Sequence, residues 1–210
     1  MTLAESLADE IAALGFTLPQ ATQAHLLQFL ELIRKWNRVH NLTAVCEPER
    51  MLPRHLLDSL AVLPHITGSR IIDVGSGAGL PGIPLALVRP DWHVILLESN
   101  HKKAIFLQQV RIELQLENIE VVAERVENFH PTAKFDTVIS RAFSDLADFV
   151  KLAGHLCLED GNSGRLMAMK GVYPYEELVQ IPLPFVVEKT LSIVVPSLEA
   201  ERHLVILRRA

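Results

Sequence analysis

The order of apolar and polar residues changes character near residue 66. Before that point the pattern is helical. Leu3, Leu7, Ile11 and Leu14 form one apolar stripe, and they predict a first helix that Gly15 ends. Pro19 helps start a second, longer amphipathic helix carrying Leu26, Leu27, Leu30, Leu32 and Ile33. That helix runs into Arg34-Lys35-Trp36-Asn37-Arg38-Val39-His40-Asn41-Leu42-Thr43. A third helix begins near Pro48 and contains Arg54-His55-Leu56-Leu57-Asp58-Ser59-Leu60.

From Arg70 short apolar runs alternate with helical stretches. Strands are predicted at 70–74, 93–98, 119–123, 135–140 and 165–169, and helices at 82–88, 101–115, 145–158 and 174–180. Such alternation implies a parallel sheet with helices on both faces. The end of the chain differs. Residues 185–195 and 203–207 read as two strands joined directly, and so short a connection suits an antiparallel pair. The expected architecture is α/β. A helical extension, 1–66, precedes a domain, 67–210, built on a mostly parallel sheet that ends in an antiparallel strand pair.

Composition narrows the function classes. Of 210 residues 49% are hydrophobic and 21% charged, enough for a substantial core. No window approaches the ~18 uninterrupted apolar residues of a membrane span. The N-terminus carries Glu5, Asp9 and Glu10 in place of a basic leader, so no membrane association and a cytoplasmic location are expected. Cys46 and Cys157 stand far apart, which suggests neither a disulfide framework nor a zinc cluster. The nine histidines are scattered, and no metal site is expected. A net charge of −5 argues against a surface coated for nucleic acid, so an RNA partner would need Arg and Lys gathered on one face.

Ile71-Ile72-Asp73-Val74-Gly75-Ser76-Gly77-Ala78-Gly79-Leu80 reads as a buried strand entering a glycine-rich turn. Such a turn lets a ligand approach bare backbone at the carboxyl edge of a sheet. The glycines admit two registers. From Gly75 the loop is G-x-G-x-G. From Gly77 it is G-x-G-x-x-G through Gly82, the dinucleotide fingerprint, which would make the protein an NAD-dependent oxidoreductase. Gly75 follows the strand directly and Gly77 comes two residues late. The antiparallel end of the sheet also suits a dinucleotide domain poorly. The Gly75 register resembles the class I (Rossmann-like) S-adenosylmethionine-dependent methyltransferases. In that family the acid ending the second strand, here Glu98, accepts from the ribose hydroxyls, because two carboxylate oxygens match two vicinal hydroxyls. Asp73 either braces the loop or contacts the cofactor.

Further stretches are more specific. They are Lys35 to Thr43, Arg54-His55-Leu56-Leu57-Asp58-Ser59, Asp73 to Pro84 with Leu80-Pro81-Gly82-Ile83-Pro84, Arg125-Val126-Glu127, Ile139-Ser140-Arg141-Ala142-Phe143 and Glu201-Arg202-His203. Taken together, in order and across most of the chain, they resemble the glucose-inhibited division protein B (RsmG) family. That family methylates N7 of a guanine in 16S ribosomal RNA. Ser76, Ala78 and Glu98 depart slightly from the family pattern without removing a needed group. The resemblance implies S-adenosylmethionine as cofactor, with contacts at Gly75, Leu80, Val126, Glu127 and Arg141. Gly77, Gly79 and Glu98 complete the candidate cofactor set. The implied partner is 16S ribosomal RNA, in the small ribosomal subunit or an assembly intermediate.

Guanine N7 has a free lone pair and carries no proton, so alignment of nucleophile, methyl and sulfur suffices. No catalytic residue is therefore assigned. Neither cysteine is placed to act as a nucleophile, and no Asn/Asp-Pro-Pro-aromatic motif follows the fourth strand. Those absences argue against methylation at pyrimidine C5 or at an exocyclic amine. RNA-binding candidates are Arg34, Lys35, Arg38, Arg54, Lys102, Lys103, Arg125, Arg141, Lys170 and Arg202. Arg34 and Arg38, four apart, share one helix face. Arg141 has three possible partners: the cofactor carboxylate, an RNA phosphate or a stacked base. Phe143 is a stacking candidate or a core residue. Trp36 is expected to hold the helical extension to the sheet. Asn37 and Asn41 either cap backbone or touch substrate, and His55 is expected to hydrogen-bond Asp58. Nothing suggests a dimer seam, so a monomer is expected. A non-catalytic RNA-binding module is the third reading; the intact glycine loop and Glu98 speak against it.

Overall fold

The computed structural model describes residues 2–45, 47–141, 143, 145–159 and 164–210. Cys46, and Ala142 of the Ser-Arg-Ala-Phe run, lie outside the described residues.

Helix α1 (Leu3–Ala13) opens with a capping box in which Thr2 and Glu5 satisfy each other's backbone N–H groups. Gly15, at φ +83°, takes the left-handed conformation that ends it. Helix α2 (Gln20–His40) buries Leu26, Phe29, Leu30 and Ile33, a stripe at helical spacing. Asn41 closes α2 at φ 49°. The Asn37 side chain then grips the next turn, donating to the Thr43 carbonyl at 2.9 Å and accepting from the Thr43 N–H at 2.9 Å. Trp36 reaches a helix that covers the sheet and not the sheet itself, its ring 5.6 Å from that of Phe106 in the helix His101–Glu113.

The predicted third helix has an unusual centre. Helix α3 (Pro48–Met51) passes through a π-helical stretch, Leu52–Leu57, into α4 (Asp58–Leu60). Pro53 lies in the wide turn and brings no N–H to an α-type ladder. This winding corrects one expectation. Residues three apart meet on a regular α-helix, but here His55 faces Thr43, with Nε2 3.1 Å from its Oγ1. Asp58 faces two arginines instead.

The sheet comprises β1 (Arg70–Val74), β2 (His93–Leu97), β3 (Ile119–Val122), β4 (Thr137–Arg141), β5 (Arg165–Lys170), β6 (Phe185–Ser192) and β7 (His203–Arg209). Their order is β3-β2-β1-β4-β5-β7-β6, parallel from β3 to β5, with β7 antiparallel to β5 and to β6. Between them come α5 (Gly82–Val88), α6 (His101–Glu113), α7 (Leu146–Ala153) and α8 (Tyr175–Leu178). The long helix expected at 145–158 stops at Ala153 and tightens into a 3-10 turn, Gly154–Leu156. The first strand of the terminal pair ends at Ser192, short of residue 195.

Both sheet faces are covered, which is why these strands read as unbroken apolar runs. Ile71, Val94 and Leu96 pack with α1, α2, α5 and α6. Ile72, Val74, Ile95 and Leu97 pack with Phe149, Val150 and Leu156 on the other side. The chain reverses its direction of strand addition between β1 and β4, and ligands bind at the carboxyl edge of such a switch point.

Candidate functional site

The glycine loop leaves β1 at that switch point. Gly75, Gly77 and Gly79 have φ of +72°, +58° and +83°, conformations that L side chains rarely adopt. Their surroundings differ. A Cβ on Gly75 would meet nothing within 4 Å, and one on Gly77 only the Gly75 carbonyl at 3.8 Å. At Gly79 it would lie 2.3 Å from Ile83 Cδ1, and at Gly82 2.3 Å from Leu96 Cδ2. Gly75 and Gly77 therefore face open space, while Gly79 and Gly82 allow close packing of α5 on the sheet. Leu80 is buried in the core, so a ligand would meet its backbone and not its side chain.

The two acids at the strand ends brace this loop. Glu98 Oε2 accepts from the Gly77 N–H at 2.8 Å and its Oε1 from the Asn100 N–H at 2.7 Å. Each carboxylate oxygen keeps a second lone pair for an incoming hydroxyl. Asn100 in turn caps α6 through the N–H groups of Lys102 and Lys103. Asp73 is completely buried, with Oδ2 accepting from the Gly82 N–H at 2.9 Å. Its Oδ1 has no hydrogen-bond partner among the described residues. Burial pushes the Asp73 carboxyl up to about 7, against the Gly82 hydrogen bond and the nearby Arg141 charge, which pull it down. The loop-bracing alternative for Asp73 is the one seen.

Beside the loop runs a groove of about 250 Å³, walled by Val74, Gly75, Leu97, Val126, Glu127 and Phe143. Val126 presents a buried apolar side chain, and Arg125 and Glu127 pair at 3.4 Å near the rim. Phe143 also packs on Phe149, ring centroids 5.1 Å apart, so it serves the core and the groove at once.

A second opening of about 330 Å³ is lined by Arg54, His55, Asp58, Arg141, Lys170 and Arg202, with Val45, Met169 and Gly171. Arg141 Nη1 donates to the Arg54 carbonyl at 2.9 Å and pairs with Asp58 Oδ2 at 3.3 Å. Arg202 Nε pairs with Asp58 Oδ1 at 2.9 Å. Lys170 pairs with Glu177 at 2.7 Å and donates to the Phe143 carbonyl at 3.3 Å. Desolvation, followed by the Arg141 charge, drives His55 down to about 4, so it is neutral at pH 7. Arg141, at the end of β4, lines the cavity, and Phe143, two residues on in the chain, lines the groove.

Other basic candidates stand apart. Arg34 pairs with Glu31 at 2.7 Å on the exposed side of α2; Lys35 and Arg38 are exposed there too, and Lys102 is exposed at the start of α6. None of the four lines the groove or the cavity. Cys157 is buried beside Phe135, before β4 begins and so at the opposite edge of the sheet. Among the described residues no cluster of three or more His, Cys, Asp or Glu could hold a metal, and no helix is long and apolar enough to cross a membrane. Asp58 is the cavity residue whose partners sequence reasoning misassigned. Its signal was an acid set between Leu56, Leu57 and Leu60 on an apolar segment, where a buried charge needs partners.

Comparison with known proteins gives the family and the fold. The family model for GidB, rRNA small subunit methyltransferase G, matches residues 22–205. A protein of Nitrosospira multiformis named ribosomal RNA small subunit methyltransferase G is 67% identical, over 100% of this chain and 99% of its own. One of the same name from Laribacter hongkongensis is 54% identical, over 98% of each. Among solved structures, the O-methyltransferase TomG of Streptomyces achromogenes, in complex with SAM, shares the fold. Its TM-score is 0.61 at 16% identity over 100% of both chains.

Proposed function

The chain belongs to the GidB family, rRNA small subunit methyltransferase G, and from that premise we propose that it transfers a methyl group from S-adenosylmethionine to N7 of a guanine in 16S ribosomal RNA. The observation that carries the proposal is the chain around the end of β4, where Arg141 lines a cation-lined cavity and Phe143, two residues on, lines a loop-side groove. One opening suits a nucleoside cofactor and the other suits a polyanion.

An adenosyl cofactor fits what the groove offers. Gly75 presents bare backbone, Val126 an apolar wall and Phe143 an aromatic one, while Gly77 and the Glu98 carboxylate that accepts from its N–H stand in the adjoining loop, outside the groove lining. The cofactor supplies a methyl group already activated on a sulfonium. We assign Gly75, Gly77, Glu98, Val126 and Glu127 to its side chain and backbone contacts, and Gly79 and Leu80 to shaping the loop around it. Arg141, held by Asp58 and the Arg54 carbonyl on the cavity side, is assigned to both the cofactor carboxylate and the RNA. Arg54 and Arg202 join it at the target nucleotide. Arg34, Lys35, Arg38, Lys102 and Arg125 are assigned to more distant phosphates, where each adds affinity without sequence information.

The chemistry asks for alignment and not for proton transfer. N7 is unprotonated, so the chain needs no general base. Its work is to hold the Hoogsteen edge of an accessible or extruded guanine against the groove. The cavity arginines fix the backbone of that nucleotide. The helical extension, 1–66, contributes Val45, Arg54, His55 and Asp58 to the cavity wall, so we read it as half of the RNA site and 67–210 as the cofactor-binding domain. The protein acts as a cytoplasmic monomer on the small subunit or an assembly intermediate.

Calorimetric titration with S-adenosylhomocysteine, with NAD in parallel, tests the cofactor half. Binding of the first alone is expected. Binding of NAD alone would move the site to the Gly77 register and end the methyltransferase reading.

A further inference from the structure

Past the cavity the chain leaves β5 through Gly171-Val172-Tyr173-Pro174-Tyr175, at the same edge of the sheet as the glycine loop leaves β1. Val172 and Tyr175 are each 74% exposed, although both side chains are large and mainly apolar. The rings of Tyr173 and Tyr175 lie together, centroids 4.3 Å apart and tilted by 42°. The turn that carries them is held from several sides. The Tyr175 N–H donates to the Tyr173 carbonyl at 3.1 Å across Pro174, which is buried. Tyr173 packs edge-on against His203, ring centroids 5.3 Å apart. Glu177, in α8, accepts from the Leu146 N–H at 2.8 Å and pairs with Lys170 at 2.7 Å. Two aromatic rings are thus fixed with one of them open to solvent, so a ligand stacking there costs the protein little freedom.

Val172 to Glu177 wall a hollow of about 360 Å³. Lys170, Gly171 and Arg202 line the cation-rich cavity, and Val172 and His203 are the next residues in the chain. The Lys170–Glu177 ion pair joins the two linings directly. Glu176 and Glu177 line the hollow and would repel a phosphate, so the part of a nucleotide that suits it is the uncharged face of a base. β5 stands two strands from β1, about 10 Å at the ordinary strand spacing. A base seated here is therefore a neighbour of the methylated guanine and not that guanine itself.

We propose that Tyr175, backed by Tyr173, is a stacking platform for an unpaired base flanking the target guanine. Every base has a π-face, so the platform adds affinity and fixes the path of the strand without reading its sequence. The inference deepens the RNA-methyltransferase reading and rests on it.

Substitutions at Tyr175 separate an aromatic contact from a merely apolar one. Its side chain is mostly in solvent, so Tyr175→Phe, Tyr175→Leu and Tyr175→Ala should all fold with a Tm near that of the wild type. The assay is methyl transfer to undermethylated small ribosomal subunits. Tyr175→Phe should keep the wild-type KM, and Tyr175→Ala should raise it about fivefold or more. Tyr175→Leu has bulk but no π-face and should behave like Tyr175→Ala. For all three, kcat and affinity for S-adenosylhomocysteine should stay within about twofold of the wild type, because the contact binds RNA equally before and during the reaction. An unchanged KM in Tyr175→Ala overturns the platform. So does a Tyr175→Leu protein as good as Tyr175→Phe, since an apolar contact would then suffice. Ultraviolet irradiation of the complex with the same subunits should attach a 16S nucleotide to the peptide carrying Tyr173 and Tyr175. A crosslink to a ribosomal protein in its place, or no nucleotide on that peptide, overturns the assignment to RNA. Failure of the underlying reading looks different, because the wild-type protein itself would then bind no S-adenosylhomocysteine or transfer no methyl group.

Discussion

Replacing Gly75 by Asp should separate cofactor affinity from stability. Gly75 sits at φ +72°, and a Cβ there meets no heavy atom within 4 Å. The folded protein therefore bears only the left-handed backbone penalty, about 1–2 kcal/mol for a non-glycine residue. That is small beside a typical stability of about 5–15 kcal/mol. In a chain of this length about 1 kcal/mol moves Tm by roughly 2–4 °C, so the expected fall is about 2–8 °C. The new side chain projects into the open face where the ligand must approach. Affinity for S-adenosylhomocysteine should fall by about 100-fold or more, equivalent to about 3 kcal/mol. Gly82→Ala provides the contrast. Its Cβ would lie 2.3 Å from Leu96 Cδ2 and 2.9 Å from Asp73 Oδ2. Overpacking of that kind costs about 1–3 kcal/mol, with the groove left open. Calorimetry and thermal unfolding on both variants should give opposite patterns, lost binding with a modest Tm change for Gly75→Asp and lost Tm with retained binding for Gly82→Ala. Near-normal affinity in a folded Gly75→Asp protein would refute the loop assignment.

Three other outcomes are expected. Glu98→Ala strands the N–H groups of Gly77 and Asn100, at about 1–3 kcal/mol for an unsatisfied group; S-adenosylhomocysteine should bind at least about tenfold more weakly, and normal affinity would remove Glu98 from the site. Arg141→Ala leaves Asp58 still paired with Arg202, so methyl transfer should fall much further than thermal stability, and small, equal effects on both would reduce Arg141 to a structural ion pair. Asp73 binds its proton up to about pH 7 when folded but ionises near 3.8 when unfolded, so the folded state holds the extra proton between those values and stability falls as pH rises through that window. The loss, on the order of a few kcal/mol, should appear in denaturant midpoints between about pH 4 and 7 for the wild type and shrink in Asp73→Asn, and equal pH slopes in the two proteins would contradict it.

Much of this was legible in the chain because it is local. Strand ends, the helix 82–88 and the Gly75 register follow from apolar runs and glycine positions that span only a few residues. The Arg141–Asp58–Arg202 cluster was not legible. Its members lie 83 and 144 positions apart from Asp58, and only the completed sheet brings them together. The expected His55–Asp58 bond failed for a local reason, the π-helical winding around Pro53, which spacing rules written for an α-helix do not describe. Glu98 was recognised by its place at a strand end, but its grip on the Gly77 amide depends on the loop's positive φ values. The resemblance supplied Val126 and Glu127. Spacing alone could not, because their value comes from lying across the groove from Gly75.

The most direct test is methyl transfer itself. The purified protein would be incubated with S-adenosylmethionine labelled in the methyl group and with small ribosomal subunits lacking the modification, and the 16S RNA would then be digested to nucleosides. The account predicts label in 7-methylguanosine alone, lost when Gly75→Asp replaces the wild type. Label in any other nucleoside, or none in the presence of bound cofactor, would contradict it.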